Sequence, residues 1–178
     1  MGLPYLPTVH LDGMNEGEPH GFGPSNQPND RGSWLMTASE FTSNRVAASS
    51  AAMPWMDTQD FDDTERGFIA RRTERAITNA DGRVVWDLDA YAFLQDECPP
   101  TAHPSLWRQG QLLIKDGLFE VIPGIYQLRG FDLSVMSIIE TDSGAIVVDP
   151  LISVETASAA WGLYVQHRGA RPIVAVIY

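Results

Sequence analysis

Two apolar runs, Ala145-Ile-Val-Val-Asp149 and Pro172-Ile-Val-Ala-Val-Ile-Tyr178, bracket a segment with helical character, and this order reads as a βαβ unit. Parallel strands cannot be joined by a tight turn, so the helix between them serves as the crossover. Ser153 is placed to cap that helix, and Gly169 supplies the residue just past its end. Val154, Ala157, Trp161, Tyr164 and Val165 set one apolar stripe on it, predicted to face the sheet. The last run is predicted to be a buried, central strand beside Ala145–Asp149. In open α/β sheets, ligands and catalytic groups gather beyond the carboxyl ends of such strands. The sequence stops at Tyr178, so those groups are expected downstream of it.

The stretch before the unit supplies antiparallel strands. Phe119 to Ile122, the turn Pro123-Gly124 and Ile125 to Arg129 read as a hairpin. Ser134 to Glu140 is a third strand, followed by the turn Thr141-Asp-Ser-Gly144. Earlier still, Pro104 opens a helix with His103 or Thr101 near its cap, and Leu106, Trp107, Leu112 and Leu113 are predicted to share its apolar face. Asp89 to Gln95 reads as a helical turn, and Asn79-Ala-Asp-Gly82 as a turn leading into a strand over Arg83 to Trp86. Asp57, Asp60, Asp62 and Asp63 precede Arg66, Arg71, Arg72 and Arg75, which suits a partly helical, solvated, ion-paired face rather than a metal site. Residues 1–56 read as an irregular or disordered arm, with a weak helix over Glu40 to Met53 ended by Pro54. Residues 57–116 form a mixed helical and short-strand extension, and 117–178 the start of an α/β domain.

Charge and cysteine narrow the function classes. Twelve basic against 23 acidic residues give a net charge of −11, which argues against nucleic acid and anionic membrane surfaces. A spanning helix needs about 18 consecutive apolar residues, and no such run exists. The first thirty residues hold no apolar core of a secretory signal, and the compartment stays open. Cys98 is the single cysteine, which excludes an internal disulfide, and its acidic setting suits a packing or loop thiol.

Several strings recur in order: Arg66-Gly-Phe-Ile-Ala70, Val85-Trp-Asp-Leu88, Pro104-Ser-Leu-Trp-Arg-Gln109, Gly117-Leu-Phe-Glu-Val121, Gly124-Ile-Tyr-Gln-Leu-Arg-Gly-Phe-Asp-Leu-Ser134, Ile138-Ile-Glu140, Val147-Val-Asp-Pro-Leu151 and Arg171-Pro-Ile-Val-Ala-Val-Ile-Tyr178. Over residues 57–178 this series resembles the N-terminal third of the zinc-dependent alkyl sulfatases of the metallo-β-lactamase superfamily. The resemblance implies an α/β fold, a partial αββα sandwich with an irregular N-terminal extension. It implies hydrolysis of primary alkyl sulfates such as dodecyl sulfate to alcohol and sulfate, two zinc ions, and a homodimer for full-length members. In that family the last strand runs into a His-x-His-x-Asp-His loop that supplies zinc ligands, a motif with no counterpart in these residues. His10, His20, His103 and His167 show no ligand spacing, so no residue is assigned as catalytic or metal-binding. Val135 stands where relatives carry a polar Asn before Met136.

The resemblance gives Asp149 a structural role near the site, holding the histidine loop through hydrogen bonds; a simple turn or helix cap is the plainer alternative. Arg129, Gly130, Phe131 and Asp132 are predicted to be exposed on the same side. Arg129 is a candidate for the sulfate side, its plainer role being a salt bridge to Asp132 or Asp149. Trp107, Trp161 and Tyr164 read as core aromatics. The expectation is therefore part of an alkyl sulfatase, inactive and zinc-free by itself, prone to aggregate through uncovered sheet. A non-catalytic interaction module and another hydrolase of the same superfamily are the alternatives.

Overall fold

A computed structural model describes residues 38–178 of the chain. The predicted irregular arm up to residue 37, with His10 and His20, lies outside the described residues. Helix α1 (Glu40–Ser50) starts at Ser39, whose side chain accepts from the Thr42 amide, and carries no buried residue. Helix α2 (Gln59–Glu65) follows. Strand β1 (Phe68–Ala70) is a three-residue element with no alternation to betray it in sequence. It forms because Gly67 brings the chain against β4 (Gly117–Ile122): the Glu120 amide donates to the Gly67 carbonyl at 2.7 Å. A Cβ at Gly67 would sit 2.0 Å from the Glu120 oxygen, and its φ of 73° is one that glycine tolerates.

Strands β2 (Ala76–Thr78) and β3 (Val84–Asp87) pair antiparallel around the Asn79–Gly82 turn, where the Asn79 side chain accepts from the amides of Asp81 and Arg83. A 3₁₀ helix (Asp89–Gln95) leads to α3 (Pro104–Leu113), capped by the His103 ring, which accepts from the Ser105 amide. The predicted apolar face of α3 forms only in part: Trp107 and Leu112 are half-buried, whereas Leu106 and Leu113 are exposed.

The main sheet runs β1-β4-β5-β6-β7-β8, with β5 at Ile125–Arg129, β6 at Met136–Thr141, β7 at Gly144–Val148 and β8 at Ile173–Ile177. All neighbours pair antiparallel except β7 and β8, which are parallel as a βαβ unit requires. Helix α4 (Val154–Arg168) makes the crossover, closed by a capping box between Ser153 and Thr156 and ended by Gly169 at φ 83°. Most of the predicted stripe meets the sheet core: Tyr164 is fully buried and Ala157, Trp161 and Val165 pack against it, whereas Val154 is exposed and Thr156, Ala160 and Leu163 complete the buried face. Trp161 flanks this face, its ring 5.1 Å from that of Tyr164. The core under α4 joins Leu118, Tyr126, Leu128, Met136, Ile138, Ala145 and Val147.

Two predictions about β8 need correcting. It pairs with β7, but as the edge strand of the described sheet rather than a central one. All five of its residues are exposed, because α4 lies over β5 to β7 and nothing among the described residues covers β8.

Candidate functional site

The register puts the carboxyl ends of β7 and β8 on one edge of the sheet, together with the 130–135 connection between β5 and β6. Asp149 stands where β7 ends, at φ 52°, in the left-handed region that Asp tolerates better than most residues. Its amide donates to the Ile177 carbonyl at 2.8 Å, which ties the ends of β7 and β8 together. Its carboxylate accepts from the Ser134 hydroxyl at 2.9 Å and the Leu151 amide at 3.2 Å, so the side chain joins two loops.

Asp132 is the residue that sequence reasoning misplaced. It is 7% exposed, and Phe131 is also buried. Its carboxylate accepts from the amides of Ser134 (2.7 Å) and Ile152 (2.9 Å) and from the Thr156 hydroxyl (2.9 Å). A buried carboxylate needs such donors, and these three pin the 130–135 connection to the first turn of α4. The signal in sequence was available only as Ser134 two residues on, the spacing of an Asx turn.

Arg129 makes no ion pair among the described residues, which corrects the expected bridge to Asp132 or Asp149. Its guanidinium donates to the Gln127 side chain at 2.8 and 3.0 Å and to the Thr64 carbonyl at 2.9 Å, and lies 4.3 Å from the centre of the Phe119 ring. Burial pushes its pKa down from the ordinary arginine value, without a carboxylate to offset it. The acidic stretch disperses its pairs: Asp63 holds Arg66, whereas Asp60 holds Arg108 and Glu65 holds Lys115, both about fifty residues on. Arg75 turns to Asp89 and the buried Asp116, at 3.3 Å each.

Beside this edge lies a cavity of about 270 Å³. Leu88 and Leu94 wall it from the 3₁₀ region, Leu112 and Ile114 from α3, and Leu133 and Val135 from the connection after β5. The Trp86 indole donates to the Gly130 carbonyl at 3.0 Å and holds the β2–β3 hairpin against that connection.

An (R)-specific secondary-alkylsulfatase from Pseudomonas sp. is 48% identical over 142 residues, 79% of this chain and 21% of that protein. A linear primary-alkylsulfatase from Pseudomonas sp. is 45% identical over 152 residues, 82% and 23% of the two chains. An alkyl/aryl-sulfatase of Saccharomyces cerevisiae is 39% identical over 153 residues, 84% and 24%. The solved structure of the stereoselective inverting sec-alkylsulfatase Pisa1 from Pseudomonas sp. matches with a TM-score of 0.73, over 80% of this chain and 23% of that one. The chain is homologous to the alkylsulfatases. It spans between a fifth and a quarter of the length of the curated relatives it matches. No family model matches it.

A pair of zinc ions does not fit this portion of an alkylsulfatase homologue. Among the described residues no three His, Cys, Asp or Glu side chains gather as a metal centre requires. Asp132 and Asp149 spend their oxygens on the donors named above, and His167 sits exposed in the last turn of α4. Ser49 and His103 resemble a nucleophile and base, with 2.9 Å between the hydroxyl and Nε2. The Nδ1 atom accepts from the Ser105 amide, so the proton resides on Nε2, which donates to Ser49. That tautomer cannot take a proton from the hydroxyl. Burial raises the Cys98 thiol pKa, which keeps the thiol protonated and unreactive.

Proposed function

We propose that these residues are the scaffold part of a sulfuric-ester hydrolase acting on alkyl sulfates, with the metal-holding and catalytic groups supplied by sequence beyond them. The observation that carries this reading is identity of 39–48% over about four fifths of the chain to three alkylsulfatases. In this reading the sheet and α4 are the first half of a metallo-β-lactamase sandwich. Asp149 and Asp132 set the loops at the carboxyl edge, where ligands gather in sheets of this kind. Arg129 is a candidate for the sulfate side, because its charge is unpaired and a guanidinium matches a tetrahedral anion. Both secondary and primary alkylsulfatases are among the relatives, at 48% and 45% identity, so dodecyl-type primary sulfates and secondary esters are both substrates to assay.

The test is a chimera in which this chain's matched residues replace the corresponding stretch of the Pseudomonas (R)-specific secondary-alkylsulfatase. Release of sulfate from primary or secondary alkyl esters within about tenfold of the parent supports the reading. A folded chimera that holds zinc like the parent but releases no sulfate from either ester class sinks it. The 178-residue chain alone is expected to release no sulfate and to keep no stoichiometric zinc after dialysis, checked by metal analysis.

A further inference from the structure

Helix α3 turns Pro104, Trp107, Arg108 and Gln111 to one side, the three-and-four spacing of a single helix face. Packing does not close that face. It borders an open groove of about 420 Å³, lined further by Trp55, Phe61 and residues 95–98. The groove shares no lining residue with the cavity beside the 130–135 connection.

Both tryptophans here have their polar edge satisfied. The Trp55 indole donates to the Ser50 carbonyl at 2.9 Å, and that of Trp107 to the Asp96 carbonyl at 3.1 Å. An indole held in this way has only its ring surface left to offer a ligand. Trp55, Phe61 and Trp107 are all half-buried. Phe93, 52% exposed, packs on Trp107 with ring centres 5.7 Å apart and carries the aromatic surface outward.

Charge decides the occupant. Arg108 is the one cation in the lining, and Asp60 neutralises it through two nitrogens. Its guanidinium lies 4.8 Å from the centre of the Phe61 ring. Asp96 and Glu97 are exposed, and neither carboxylate has a cation partner among the described residues. Two free negative charges therefore stand over aromatic walls. A guanidinium answers both, since it stacks on an indole face and pairs with carboxylates. Two other occupants fit badly. A second copy brings a net charge of −11 to the same place, and residues 1–37 hold Arg31 as their only Arg or Lys against Asp12, Glu16, Glu18 and Asp30.

We propose that this groove binds an arginine-bearing segment of a basic protein partner, seated on Trp55 and Trp107 and paired with Asp96 and Glu97. The assignment does not depend on the alkylsulfatase reading. The experiment titrates the full 178-residue chain, at low concentration, with acetyl-Gly-Arg-Gly-Arg-Gly amide and with its Lys and Glu counterparts, following heat and the indole N–H resonances. One saturable site is expected for the Arg peptide, about fivefold tighter than for the Lys peptide, and none for the Glu peptide. The Trp55 and Trp107 resonances should move, while those of Trp86 and Trp161, which lie outside the groove, stay in place.

A chain this acidic attracts any basic peptide, so the control removes equal charge elsewhere. Asp96→Asn with Glu97→Gln should weaken the Arg peptide about fivefold. Asp81→Asn with Asp142→Asn, also exposed but away from the groove, should weaken it by less than about twofold. Equal loss in the two double variants, equal affinity for the Arg and Glu peptides, shifts confined to Trp86 or Trp161, or no saturable site overturns the proposal. A weight-average mass that falls as the peptide saturates would make a second copy the occupant and overturn it as well.

Discussion

Glu140 shows how one side chain can fasten the crossover helix to the sheet. Its carboxylate receives Arg168 through two nitrogens at 3.1 Å, Arg171 at 3.3 Å and the Tyr164 hydroxyl at 2.8 Å. The Arg168 hydrogen bond holds its pKa below the ordinary carboxylate value of 4.5. A depressed carboxyl stabilises the fold above its unfolded pKa, and that contribution is lost as pH falls through the lower, folded value. Removing it by Glu140→Gln should cost about 2 kcal/mol at neutral pH, a figure reduced because both arginines are a third exposed. Urea unfolding at low protein concentration, followed between pH 3 and 7, should show a flatter acid limb in the variant; an unchanged slope would remove Glu140 from this role. Tyr164 acts at the other end of the scale, its pKa pushed up to about 12 by burial and by Glu140. The neutral phenol stabilises fully below the unfolded value near 10, and this is lost as pH rises toward 12. Tyr164→Phe should therefore flatten the alkaline limb in the same titration. Neither role is readable from sequence, because Glu140 looks like any strand-end acid until α4 brings Tyr164 and Arg168 over it.

At the level of elements, boundaries were legible where short-range chemistry sets them. Ser153, Gly169, Pro104 and the Asn79–Gly82 turn mark ends because caps and turns are local hydrogen-bond problems. The facing of α4 was legible except in its first turn. A stripe chosen by hydrophobicity includes Val154 and leaves out Thr156, yet Thr156 is 1% exposed because Asp132 accepts its hydroxyl. The first turn of the helix is thus fastened by a polar contact from a loop twenty-four residues earlier, while Ala160, Leu163 and Tyr164 pack on the sheet core. Thr156→Val keeps the shape but leaves Asp132 one donor short, and should cost about 1–3 kcal/mol. Ser153→Ala removes only the cap, at about 1 kcal/mol. Because both touch one network, the double variant should fall short of the sum by at least 0.5 kcal/mol. Strict additivity in chemical denaturation would show that the cap and the buried acid act separately. Strand β1 was missed for the opposite reason: three residues without alternation pair only because Gly67 lets β4 approach.

Across the whole molecule, the two faces of the main sheet have different fates. The row Tyr126, Ile138 and Val147, joined by register across β5, β6 and β7, is buried under α4. The adjacent row Ile125, Ile139 and Ile146 points to the other face and is only half-buried, and it continues into the exposed Ala175 of β8. Layered α/β architectures cover both faces of such a sheet; among the described residues the α4 face has its layer, while the other is closed around Phe119, which is 2% exposed, and stays open along the Ile125, Ile139 and Ile146 row. The apolar alternation announced a sheet and a crossover, but which face would remain open depends on where α4 docks. An open apolar face next to an unpaired strand edge drives association. The isolated chain should therefore show a weight-average mass that rises with concentration in sedimentation, together with bound hydrophobic dye. The pair Ile139→Lys and Ile146→Lys places two charges on that face while sparing the row beneath α4. It should return the chain to a monomer with unchanged far-UV dichroism and little dye binding. Loss of helical signal in the double variant would mean the row is packed after all; association unaffected by the two lysines would place the contact on the β8 edge instead.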